Sequence, residues 1–262
     1  NVFGGSLAPG RWYVVPVNDT GATVSTSVTA TVTAQGARPG FLSGQYVNVA
    51  RDGHGIFVDF AGPQGNPDQW VTVWYTYLED GTPTWYYSAG TAPTAAGIWK
   101  AELFRVTWDG SATHAVDVGD VVITETGAQS MTFSFNIDGK SGFDPMVRVG
   151  GGSCPAFNGQ ALDASGHWYS PSLAGFGYTY LATGGANPQE VLIPYVYDAQ
   201  GFPRWLYGQK GFDAANAAFN LQWYAGFAPL APRVDLIGTA AGTATRTLAT
   251  NNVTQMSVNS AF

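Results

Sequence analysis

The sequence predicts an all-β chain: two tandem antiparallel up-and-down barrels or half-open sandwiches, preceded by an extra N-terminal β-hairpin. Three observations carry this. Short segments of alternating apolar and polar residues recur along the chain, the two-residue period of a strand with one face buried. Asp-Gly pairs at Asp52-Gly53, Asp80-Gly81, Asp109-Gly110 and Asp138-Gly139 punctuate them, and Asp-Gly tolerates the positive φ of tight β-turns. The pattern also occurs twice. "SGQYVNVARDGHGIFV" (43 to 58) is answered by "SGHWYSPSLAGFGYTY" (165 to 180), and Tyr77 to Trp85 by Tyr197 to Trp205.

Taken in order, residues 1–37 belong to neither copy. They hold two β-segments, "GRWYVVPVN" and "TVSTSVTATVTA", joined at Asp19-Thr20-Gly21. A lone hairpin is marginal in water, so this one must pack on something. Residues 38–152 contain eight alternating segments, from "GQYVNVA" to "FDPMVRVG", enough for a meander that closes on itself and removes its edges. Residues 153–262 repeat seven of these and stop before a counterpart of "FDPMVRVG". The join lies near "GGGSCPAFNGQ", whose Cys154 is the single cysteine of the chain and reads as a loop residue.

The segment order resembles the small eight-stranded barrels of the avidin type, with "GQYVN" at Gly44 to Asn48 similar to that family's first strand; a fold analogy implies no ligand. The repeated "GHG…WVTVWYTYLEDGTPTWYY" pattern resembles an uncharacterised tandem module at the ends of secreted bacterial proteins. That resemblance covers residues 40 to 262 and implies export. "LAPGRWYVVPVND" resembles the closing strands of the bacterial pre-peptidase C-terminal domain, a secreted β-sandwich, cut to a remnant.

Composition narrows the function classes. Only 11% of the 262 residues are charged and the formal net charge is -7, with three lysines, which excludes a nucleic-acid surface. No apolar run is long enough for a transmembrane helix. With so few charges, the surface is covered by neutral polar groups, which suits an extracellular or cell-surface β-protein. There is no Cys pair, His-x-His or His-Glu-x-x-His, so neither a metal site nor a cofactor is expected.

Residues 70 to 87 hold seven aromatics. Val71, Val73, Tyr75 and Tyr77 share a parity that repeats as Val191, Ile193, Tyr195 and Tyr197, which predicts the barrel interior for that face, with Trp85 and Trp205 beside it. The opposite parity, Trp70, Thr72, Trp74 and Thr76, does not repeat, and so is expected outside. There Trp70 and Trp74 are candidates for cover by a neighbouring element, for a flat sugar platform, or for an intermolecular contact. Arg51, Asp52 and His54 are the other ligand or interface candidates, because the second copy replaces them with Leu173, Ala174 and Phe176.

These features point to a non-catalytic structural protein, a bacterial surface or filament subunit that self-associates by β-strand addition. The assembly segment would present Val24, Thr26, Val28, Ala30 and Val32 on alternate positions. The alternative is an accessory module of a secreted protein that binds a polysaccharide or a small ligand.

Overall fold

Each alternating segment of the first copy becomes a strand. The computed structural model describes residues 43–61, 69–91, 97–150, 153–162, 164–169, 173, 175–250 and 253–260; the N-terminal hairpin and its assembly segment, Val24 to Val32, lie outside the described residues. In chain order the first copy forms β1 (Gly44–Val47), β2 (Gly55–Ala61), β3 (Gln69–Tyr77), β4 (Pro83–Thr91), β5 (Ile98–Trp108), β6 (Thr113–Gly127), β7 (Ser130–Ile137) and β8 (Lys140–Arg148). All pair antiparallel with their neighbours, and β8 pairs β1 to close the barrel. All four Asp-Gly pairs sit at the same end of it, between odd strands and the even strands that follow. At the tightest of them both Asp138 and Gly139 take positive φ, 48° and 78°, which is why an Asp-Gly pair is needed there.

Among the described residues the second copy repeats this order without closing. After the small hairpin β9 (Ala156–Phe157) and β10 (Gln160–Ala161) come β11 (Gly166–Tyr169), β12 (Gly177–Thr183), β13 (Gln189–Tyr197), β14 (Pro203–Trp205) and β15 (Gly208–Gly211), in one sheet. β16 (Asn216–Ala225), β17 (Ile237–Thr250) and β18 (Val253–Ser260) form another. β14 and β15 together stand where β4 stands in the first copy. The break between them falls opposite Pro194, which accepts from the Leu206 N–H at 3.1 Å but has no N–H to return. Among the described residues nothing stands where β8 stands in the first copy, and β11 and β18 each pair with one strand only. Of the expected barrels or half-open sandwiches, the first copy is a closed barrel and the second, among the described residues, an open half of two sheets.

The two faces of β3 lie opposite to expectation. Trp70 and Trp74 point into the barrel at 0% exposure, packed with Tyr46, Ile56, Trp99 and Phe133. The repeating face points out. Tyr75, Tyr77 and Trp85 lie on the barrel's outer surface and pack against Tyr195, Tyr197 and Trp205 from the second copy. The contacts are reciprocal: Tyr75–Trp205 and Trp85–Tyr195 centroids are 6.1 and 5.5 Å apart, Tyr77–Trp205 and Trp85–Tyr197 5.6 and 6.0 Å. Gly226 N donates to Gly81 O and Trp108 N to Gly201 O, both at 2.9 Å, so each copy's β3–β4-type turn docks on the other copy. The copies are related by a pseudo-twofold axis.

A side chain so enclosed leaves a cavity when truncated. Trp74→Ala should therefore lower stability by about 3–5 kcal/mol, read as a shifted denaturant midpoint with the slope unchanged. An unchanged midpoint would return Trp74 to the surface.

Candidate functional site

The odd-to-even turns of the closed barrel surround a mouth, and the sequence-selected residues Arg51, Asp52 and His54 gather on its rim. Asn48, at the end of β1, turns inward and donates to Asp144 Oδ1 of β8 at 2.8 Å. Asp144 in turn lies 3.7 Å from Arg51 Nε. His54 is held from the other side, its Nδ1 bonded to Thr76 Oγ1 of β3 at 2.9 Å.

What these residues face is a strap from the second copy, residues 226–236, which joins β16 to β17. It is eleven residues long where the first copy makes the equivalent connection with four, 109–112. Arg51 donates to the carbonyls of Ala228 (3.2 Å), Pro229 (2.6 Å) and Ala231 (3.1 Å). Asp52 accepts two bonds from Arg233, at 2.6 and 3.2 Å. Phe227 packs on His54 with centroids 4.5 Å apart, stacks with Tyr77, and lies under the Arg51 guanidinium at 4.8 Å. Leu236 covers Gly53, whose φ of 88° and lack of a Cβ let the strap approach.

No family model, curated protein or solved structure matches the chain. The site is therefore argued from its own chemistry.

Sequence reasoning selected Arg51, Asp52 and His54 because the second copy lacks them, and the strap accounts for the difference. The polar rim is peculiar to the first copy and the inserted strap to the second, and the two are bonded through Arg51 and Asp52. Trp70 and Trp74 do not join this group, and buried inside the barrel they offer no platform to a sugar. Asn48 and Asp144 were missed. The signal for the strap was present in the sequence, as the extra length between "LQWYA" and "IGTAAG".

A second polar cluster lies on the pseudo-twofold axis, and Asp59, a polar residue of the first copy where the second has Leu181, belongs to it and not to the Arg51 group. Tyr75 and Tyr195 hydroxyls meet at 2.9 Å, both also bonded to Thr179 Oγ1, and His167 Nδ1 lies 2.6 Å from the Tyr195 hydroxyl. His167 Nε2 faces the Phe57 carbonyl at 3.2 Å, so it must carry the proton, and Nδ1 accepts from Tyr195. Asp59 accepts from the His167 backbone N–H at 2.7 Å. Burial lowers His167, raises Asp59, and raises Tyr75 well above the usual phenol range.

Burial, with the Arg51 cation beside it, also lowers His54 to about 4. An imidazole with a lowered native pKa binds its proton in the unfolded chain first, so stability is complete above about pH 6.5 and is lost as pH falls toward 4. His54 alone contributes a loss on the order of 3 kcal/mol over that window, and His167 adds to it in the same direction. Asp59, with its raised pKa, opposes the slope at the acid end. Denaturant midpoints between pH 7 and pH 4 should show the fall. His54→Phe, which copies Phe176 of the second half, should remove the His54 share; an unchanged slope would refute the assignment.

Proposed function

We propose that the chain is a non-catalytic structural protein that self-associates by adding an extended strand to its open half, as a subunit of an extracellular or cell-surface bacterial assembly. One observation carries this reading. The first copy is closed by β8, whereas in the second, β11 and β18 each pair with a single strand among the described residues. At β11 the His167 N–H is already taken by Asp59, so β18 is the edge left as a template for another strand.

The inward face of the open half favours an occupant with small apolar side chains on alternate positions. Val258 pairs across from the buried Ala244 and so faces inward, yet is 38% exposed. Val24, Thr26, Val28, Ala30 and Val32 supply that alternation in an uncharged segment. Supplied by a neighbouring copy, such a strand gives head-to-tail contacts between two different surfaces, which generate open polymers.

The histidines speak for a structural role. His54 holds the strap, His167 the axis between the copies, and His114 pairs with Asp109 of its own hairpin at 2.7 Å. Among the described residues, six of the nine Lys and Arg side chains pair with a carboxylate within the fold.

Light scattering and electron microscopy test the reading. The full chain should form ordered polymers, a version lacking residues 1–37 should stay a folded monomer, and excess synthetic peptide of residues 24–34 should cap growth. A full chain that remains a 27.6 kDa monomer at every concentration would sink the proposal. Polymers unaffected by the deletion would remove the N-terminal segment as donor.

A further inference from the structure

The strap is bound the way a peptide ligand is bound. Arg51 reads main-chain carbonyls, which any sequence offers, while two side chains give selectivity: Phe227 between His54 and Tyr77, and Arg233 on Asp52. Pro229 and Pro232 restrict the segment before it docks, which lowers the ordering cost. Within the strap one backbone bond is recorded, Ala231 N to Ala228 O at 3.0 Å, so its shape owes more to the barrel than to itself. Leu230 and Val234 are each 51% exposed, and the Leu230 side chain lies against Gly142 of β8.

The receiving side is built from the barrel alone. Asn48 fixes Asp144, Asp144 lies against Arg51, and Thr76 fixes His54, all from strands and turns of the first copy. None of these contacts involves a strap residue. A preformed site with a tethered occupant exchanges that occupant for a free one when the tethered contacts weaken.

We propose that the mouth of the first barrel is a peptide-docking site whose resident occupant is the strap. In trans it takes a proline-containing peptide that turns over Arg51 as residues 228–231 do, and that carries a phenylalanine and, six residues on, an arginine. The occupant contacts Arg51, Asp52 and His54 as residues 227–233 do. This surface is separate from the open edge of β18, so it stands or falls apart from strand addition.

The test uses the full chain with Phe227→Ala and Arg233→Ala, which empties the two selective contacts, and a synthetic peptide of residues 226–236 as probe. His54 ring and tryptophan indole NMR signals report occupancy. The variant should bind the peptide saturably, the unaltered chain at least tenfold more weakly, and Arg51→Ala on the variant background should lose at least tenfold. A folded variant with no saturable response, or one that responds equally to a scrambled peptide, overturns the proposal. If the double variant does not fold, Arg233→Asp at its exposed position serves instead. Its strap should yield to the arginine-bearing peptide and not to one carrying Arg233→Asp; equal response to both overturns the proposal as well. Deleting residues 1–37 should change none of these results.

Discussion

Tyr75 and Tyr195 meet hydroxyl to hydroxyl at 2.9 Å on the pseudo-twofold axis, flanked by Trp85 and Trp205 in reciprocal contact. Most of the architecture is arranged around that meeting. It requires the outer faces of β3 and β13 to be apolar, which turns the opposite faces of both strands inward. It also brings the turn at Gly81 onto Gly226 and the turn at Gly201 onto Trp108, where Gly81 and Gly201 keep φ near 80°. A Cβ at Gly81 would stand 2.7 Å from the Gly226 carbonyl, so the docking depends on glycine there. Aromatic pairs contribute about 0.5–1.5 kcal/mol each beyond their buried area, so a seam with several of them binds the two copies as one unit.

Because the seam constrains one face of each copy, the other face has diverged. Trp70 fills the closed barrel beside Trp99, with centroids 6.2 Å apart, while its counterpart Glu190 is buried and paired with Arg246. That ion pair is well supported. Tyr180 donates to Glu190 Oε2 at 2.9 Å, the Asp213 N–H donates to Oε1 at 3.3 Å, and Arg246 reaches the Asp213 carbonyl at 2.6 Å. Buried charges with this many partners are tolerated and fix a geometry rather than adding much stability. The open half thus adds directional bonds to the apolar cluster of Leu192, Leu206, Phe219 and Leu221 that joins its sheets, where the closed barrel uses packed rings.

Strand order and turn positions were legible in the sequence, because alternation, Asp-Gly pairs and the repeat are local signals. The direction of the β3 faces was not. A face that repeats between copies reads as a conserved interior only if the copies do not touch. Here they pack on each other, so the repeating parity marks the seam and the unrepeated one the core. Arg51, Asp52 and His54 were legible as a departure from the repeat, but not Asn48 and Asp144. Those two reach the rim from different strands, 96 residues apart, and nothing local marks their bond.

The asymmetry between the two copies follows from the same axis. A strict twofold would place a short turn, like 109–112, at both ends of the seam. At one end that turn remains, and Gly175 lies against Thr113 and the Tyr197 hydroxyl. At the other, the strap of residues 226–236 replaces it and spans the mouth of the closed barrel. The rim there changed with it: where the second copy has Leu173, Ala174 and Phe176, the first has a cation, an anion and an imidazole. An apolar rim would have left the strap carbonyls of Ala228, Pro229 and Ala231 without the donors Arg51 provides, and an unpaired polar group costs more when buried than a made bond returns. The polar rim and the strap are thus two halves of one feature, written in different copies of the repeat.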